Sequence, residues 1–229
     1  MMFNRRSFVG AGIASLGTLG AALPSAKAQL VYGHSDWKFA DFDKLLRHPA
    51  RAKQVYDIRP IGDGKFFNNI KNSVNGFHFG FGIPAEQIKI VAAMHGPSNM
   101  LNFDDSMWAK YRLGEWLLVL DPATGKPATQ NPYLAKATNA STNLNDRKSR
   151  YQDSSIQALQ ERGVQFLSCH TATEEQAPAL VKQLSLAMSA DEVVQDLQAH
   201  TLPGVIIVPA MVAAVSLLQS EGHYTYITV

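Results

Sequence analysis

Past residue 50 the chain alternates two kinds of apolar pattern. Short runs rich in β-branched residues are separated by segments whose apolar positions repeat at helical spacing. Residues 54–58 read as a strand that enters a turn at Pro60-Ile61-Gly62-Asp63-Gly64. Phe66, Phe67, Ile70, Val74 and Phe77 then mark one face of a helix, which Gly80-Phe81-Gly82-Ile83-Pro84 stops. Residues 88–94 form an apolar strand ending at His95-Gly96-Pro97, and residues 104–114 are weakly helical around Met107, Trp108 and Tyr111. A helix over 154–162 ends at Gly163, and 164–169 reads as a strand whose last residue is Cys169. Thr173 is the expected start of the next helix, with Glu174 and Glu175 in its first turn, where acids suit the dipole. Ser189 and Glu192 form a capping box for a further helix. Residues 205–208 are a buried-type strand, 209–219 an apolar helix stopped by Gly222, and 223–229 a final alternating strand. Strands alternating with helices predict a layered α/β fold with a mostly parallel sheet.

Two segments fall outside this rhythm. Residues 29–53 read as an irregular arm carrying one or two helical turns at 41–46, ended by His48-Pro49. Residues 121–150 form a long polar stretch punctuated by Asp121-Pro122, Gly125-Lys126-Pro127 and Asn131-Pro132. A loop of that length in a compact domain is usually functional or an insertion. The expectation is a surface excursion that covers a neighbouring subunit. No repeat and no second domain is legible, so 29–229 reads as a single domain.

The N-terminus changes the compartment. Arg5-Arg6 in Asn4-Arg5-Arg6-Ser7-Phe8-Val9 precedes an uncharged apolar run over 9–23, and Ala26-Lys27-Ala28 has the small-residue pattern of a cleavage site. A paired arginine followed by Phe8 resembles the bacterial twin-arginine (Tat) signal, with residues 1–28 removed and the product in the periplasm. About 15 apolar residues fall short of the roughly 20 that span a bilayer, although an uncleaved tether stays open.

Residues 1–28 carry Arg5, Arg6 and Lys27 and no acid, so their removal takes the formal charge from +2 to −1. The basic balance of the precursor belongs to its signal, and nothing in the remainder points to nucleic acid or to a charged membrane surface. Nothing after residue 28 is long and apolar enough to span a membrane.

Cys169 is the sole cysteine, so it forms no internal disulfide. It is buried and inert, bonded to another chain, or a working thiol. The carboxyl end of a parallel strand is where open α/β sheets put ligand sites, and backbone N–H groups of a helix starting just beyond would favour the thiolate. His95 also follows a strand, so the two strand ends can lie side by side. A Cys/His pair serves as thiolate and base, or as soft metal ligands with Met94, Met100 or His170. The plainer alternative for His95 is a hydrogen bond to its own turn. The aromatic run Gly76-Phe77-His78-Phe79-Gly80-Phe81-Gly82 either lines a pocket or belongs to the core. No zinc-site spacing, phosphate loop or nucleophile elbow is present, so no cofactor is expected.

The strand ending in a lone cysteine, Gly163-Val164-Gln165-Phe166-Leu167-Ser168-Cys169, is followed by Leu202-Pro203-Gly204-Val205, by Val208-Pro209-Ala210-Met211-Val212-Ala213, and by Leu217-Leu218-Gln219-Ser220-Glu221-Gly222-His223-Tyr224-Thr225-Tyr226-Ile227. This pattern, with the upstream segment 88–97 ending in His-Gly-Pro, resembles the DsrE/DsrF-like (YchN-type) family of small sulfur-relay proteins. The resemblance covers roughly 54–120 and 152–229. It implies a flavodoxin-like three-layer sandwich, usually assembled as trimers or hexamers, with Cys169 at the position where the sulfur-transfer branch forms a persulfide and exchanges it with donor or acceptor proteins. Export, the N-terminal arm and the 121–150 stretch depart from the compact cytoplasmic relay proteins. Three readings follow: a sulfur-handling or thiol-redox protein using Cys169 with His95 as tuning neighbour, an oligomeric binding module without turnover, and a soft-metal site of His95, Cys169 and His170.

Overall fold

A computed structural model describes residues 33–37 and 39–229; the expected export signal over 1–28 lies outside the described residues. Five strands, β1 (Ala52–Ile58), β2 (Ile88–Met94), β3 (Gln165–Cys169), β4 (Ile206–Val208) and β5 (Thr225–Thr228), form one sheet in the order β4-β3-β2-β1-β5. Every pairing is parallel. The helices are α1 (Ala40–Leu46), α2 (Lys65–Asn75), α3 (Asp105–Lys110), α4 (Leu113–Trp116), α5 (Ile156–Glu161), α6 (His170–Leu184), α7 (Ala190–Ala199) and α8 (Met211–Ser220). The expected flavodoxin-like α/β sandwich is what the chain adopts, although flavodoxin itself orders its strands 2-1-3-4-5.

Strand order and crossover handedness decide what lies on each face. From β1 to β4 the chain steps in one direction across the sheet, so right-handed crossovers place their helices on the same side. Ile90, Ala92, Met94 and Phe166 accordingly pack against Phe67 and Ile70 of α2, Trp108 of α3, Leu159 of α5, Leu180 of α6 and Leu197 of α7. The last crossover runs back to β5 beside β1, and its helix α8 lands on the opposite face. There Val55, Val91, Ala93 and Leu167 meet Met211, Ala214 and Leu218 of α8, with Phe42 and Leu45 of α1 completing the layer. The arm helix thus fills a face that one crossover cannot cover. With both faces covered, β2 is buried and apolar except at Lys89 near its start.

Several element boundaries differ from expectation. Residues Gly96–Asn102 form a buried 3-10 segment rather than an open turn, and α6 starts at His170, three residues before Thr173. Glu174 and Glu175 therefore lie beyond its first turn, which holds no acid. The reason is local: Cys169 itself caps the helix, its sulfur accepting from the Ala172 N–H.

The 121–150 stretch holds no helix and no named strand, but it is tied to its own chain. Asn131 donates from Nδ2 to the Leu101 carbonyl, and the Tyr133 ring packs 5.3 Å from that of Phe67. Residues 119 and 128 pair over α4, where an added Cβ at Gly114 would come within 2.1 Å of the Ala128 carbonyl oxygen. Only glycine permits that approach.

Asp196 of α7 joins α3 to α7 by accepting from Lys110 Nζ at 2.8 Å and from Tyr111 Oη at 2.6 Å. Burial pushes its carboxyl up, but the two hydrogen bonds outweigh that and hold it below the ordinary aspartate value. A carboxyl depressed in the folded state stabilises above its unfolded value, and that contribution is lost as pH falls through the folded one. Thermal stability therefore declines below about pH 4. Asp196→Asn is expected to lower Tm at neutral pH and to flatten this acid limb, as melting curves across pH would show.

Candidate functional site

The carboxyl ends of β1, β2, β3 and β5 carry Asp57, His95, Cys169 and Tyr226. Met94 pairs in register with Ser168, so the residues one step on, His95 and Cys169, end neighbouring strands at the same level. The expected juxtaposition of strand ends is present. The side chains, however, turn to different partners.

His95 faces β1. Its Nε2 lies 2.7 Å from Oδ1 of Asp57, and the hydroxyl of Tyr226 on β5 donates to Oδ2 of the same carboxylate at 2.6 Å. The hydrogen bond to Asp57 raises the Tyr226 hydroxyl above its ordinary range. Asp57 keeps 22 % of its side chain exposed and His95 15 %, so the pair sits at the surface edge. With Nε2 held by a carboxylate, Nδ1 is the nitrogen left for an incoming group.

Cys169 is only 3 % exposed. Of the alternatives for this thiol, the strand-end position does not leave the sulfur open to solvent, because α1 and α8 close over that face. The sulfur is nevertheless not surrounded by hydrocarbon alone. Sγ accepts from the Ala172 N–H of α6 at 3.4 Å and from the Met211 N–H of α8 at 3.3 Å. The hydroxyl of the partly exposed Thr171 lies 3.0 Å away. Two helix N-termini thus converge on one atom, an arrangement that suits negative charge.

Asn99 fixes the backbone beneath. Its Oδ1 accepts from the Cys169 N–H at 2.8 Å and from Ser168 Oγ at 3.0 Å. Its Nδ2 donates to Thr173 Oγ1 at 2.9 Å and to the Cys169 carbonyl at 3.3 Å. All four bonding positions of a fully buried amide are used.

His170 does not join Cys169 and His95. Its ring is edge-on to Trp37 of the arm at 5.1 Å, its Nδ1 meets Gln198 of α7, and its Nε2 lies 3.2 Å from Glu174. Met94 and Met100 are buried in the opposite core layer. Among the described residues no three His, Cys, Asp or Glu side chains gather so as to hold a metal ion. The soft-metal grouping of His95, Cys169 and His170 has no geometric support.

The aromatic run divides. Phe77 and Phe81 line a groove of about 460 Å³ with Tyr56, Ile227 and Val229, while Phe79 and Phe81 are exposed. Sequence reasoning missed Asp57, Tyr226, Asn99 and Thr171. A carboxylate between the apolar residues Val55, Tyr56 and Ile58 was the one signal available for the first. No family model, curated protein or solved structure matches the chain. Among the described residues no helix is long and apolar enough to cross a membrane.

Proposed function

We propose that this is an exported sulfur-handling protein of DsrE/DsrF type, in which Cys169 carries sulfane sulfur in the periplasm between small donors or partner proteins. The observation that carries this reading is the sulfur's setting: a lone cysteine whose Sγ accepts backbone N–H groups from the starts of two helices. A structural cysteine needs no such donors, since it packs as a small apolar group.

The step is a nucleophilic exchange. The Cys169 thiolate attacks a terminal sulfane sulfur of inorganic polysulfide and forms a new S–S bond. The adjacent S–S bond breaks, and the polysulfide leaves one sulfur shorter with the electron pair. Electrons and charge balance without an outside oxidant. The two N–H donors hold the anionic sulfur before attack, and Thr171 moves aside to admit the reagent. His95, set by Asp57, stands at the next strand end as the neighbour whose Nδ1 is left for an incoming polysulfide. Asp57→Asn is expected to slow loading several-fold at neutral pH while leaving its stoichiometry intact. The test is cyanolysis: protein treated with polysulfide and desalted should release close to one thiocyanate per chain on addition of cyanide. Release no greater than from unfolded, alkylated protein overturns the proposal.

A second reading, an oligomeric binding module, is favoured by the outer face of α8. Val212 is 75 % and Leu217 38 % exposed there, on a helix apolar on most sides. Under this reading the chain forms a homo-oligomer, a trimer or hexamer by the family resemblance, and Cys169→Ser leaves function intact. Native mass spectrometry showing only monomer removes it.

A further inference from the structure

A second cavity lies at the opposite end of the sheet, beside the residues that precede β3. It measures about 480 Å³ and opens between the 136–142 chain, Arg150, Asp153 and the end of α5 at Glu161 and Arg162. That volume suits a small molecule.

Its charges do not balance locally. Lys136 pairs with Glu161, and the Asp153 carboxylate is taken by the N–H groups of Ala137 and Ser155, at 2.7 and 2.8 Å. Arg150 and Arg162 are left, with Lys71 close behind them. Among the described residues none of these three forms an ion pair. Their partners are neutral. Arg162 donates from Nη2 to Asn75 Oδ1, Lys71 donates to Gln152 Oε1 at 3.2 Å, and both guanidinium groups lie over the Tyr151 ring, at 5.5 and 5.9 Å. Nη1 of Arg162 is shielded from solvent and has no acceptor. Burial holds Arg162 below its ordinary range, with Arg150 pushing the same way, and burial together with Arg162 lowers Lys71. Lys136, Arg150 and Arg162 thus line the cavity against the two carboxylates of Asp153 and Glu161, with Lys71 behind them, and a cleft of net positive charge concentrates anions.

We propose that this cavity binds a small molecule through a tetrahedral oxyanion of phosphate or sulfate type, with Arg150 and Arg162 as its charge partners. Arginine forks match such groups with two parallel hydrogen bonds. Thr138 and Thr142 line the same cavity on the 136–142 chain. The site is separate from Cys169, because Arg162 precedes β3 and Cys169 ends it.

Thermal unfolding of the whole protein tests this, with inorganic phosphate, inorganic sulfate, succinate and sodium chloride compared at matched ionic strength. Phosphate or sulfate should raise Tm above the chloride control in a saturable way. Arg150→Met, at an exposed position that leaves the core untouched, should weaken anion affinity about ten-fold, and Cys169→Ser should leave it unchanged. Arg162→Met should abolish the shift; if that variant does not fold, Arg150→Met decides. Equal shifts with chloride, or full affinity in Arg150→Met, overturn the site. Succinate binding as well as phosphate and sulfate overturns the tetrahedral assignment.

Discussion

Cys169→Ser should take up no sulfane sulfur and remain folded. Serine keeps the shape of the side chain, and its oxygen can accept the Ala172 N–H that the sulfur accepts, as a favoured helix N-cap. It cannot replace the chemistry, because an alcohol is a poor nucleophile at neutral pH unless a base activates it. His95 is held by Asp57, and no contact joins it to the position 169 side chain. Since the sequence holds no other cysteine, uptake has nowhere else to go. Cyanolysis of polysulfide-treated variant should fall to background, while its melting transition stays within about 1 kcal/mol of the unsubstituted protein. Thiocyanate release by the serine variant at the original level would place the sulfur elsewhere.

The second large effect is on stability. Asn99→Ala removes four hydrogen bonds from a site with no access to water. The Cys169 N–H and the Ser168 hydroxyl then lose their acceptor, while Thr173 can still donate to the Cys169 carbonyl at 3.1 Å. Each buried group left unsatisfied costs about 1–3 kcal/mol, and the small cavity adds to that. The expected loss is about 3–4 kcal/mol in urea unfolding, a large part of the stability of a domain of this kind. A loss under about 1 kcal/mol would mean that water replaces the amide and that the β3 end is not held as described. Because Asn99 also sets where β3 stops and α6 begins, the variant should expose Cys169 to alkylation faster than the unsubstituted chain.

The sheet was legible because β2 and β3, buried along almost all their length, read as apolar runs with turn residues on either side, and the exposed β5 as an alternating one. The strand at 88–94 matches to the residue, and the capping box at Ser189 and Glu192 forms as the pattern required. The start of α6 was not legible: Cys169 is an unusual cap, and its second N–H donor, from Met211, arrives from 42 residues away. The 3-10 segment over Gly96–Asn102 was hidden for a related reason. Ser98, Asn99 and Asn102 look like loop composition, yet all three are buried, since each satisfies backbone or hydroxyl groups of other elements. The Asp57–His95–Tyr226 cluster depends on β5 pairing with β1 across most of the chain. Apolar periodicity carries no information about that pairing. The arm helix was legible as a helix from Asp41 and the apolar residues after it, but not as the cover over the Cys169 face.

Everything functional rests on whether a reagent reaches Cys169 Sγ in the folded protein. The most direct measurement is the intact mass of the native, unsubstituted chain after brief exposure to inorganic polysulfide and desalting, followed by mapping of the peptide that contains Cys169. The expected result is the gain of one sulfur atom, located on that cysteine. An unchanged mass, with a thiol that titrates fully only after unfolding, would contradict it and leave Cys169 as a packing residue.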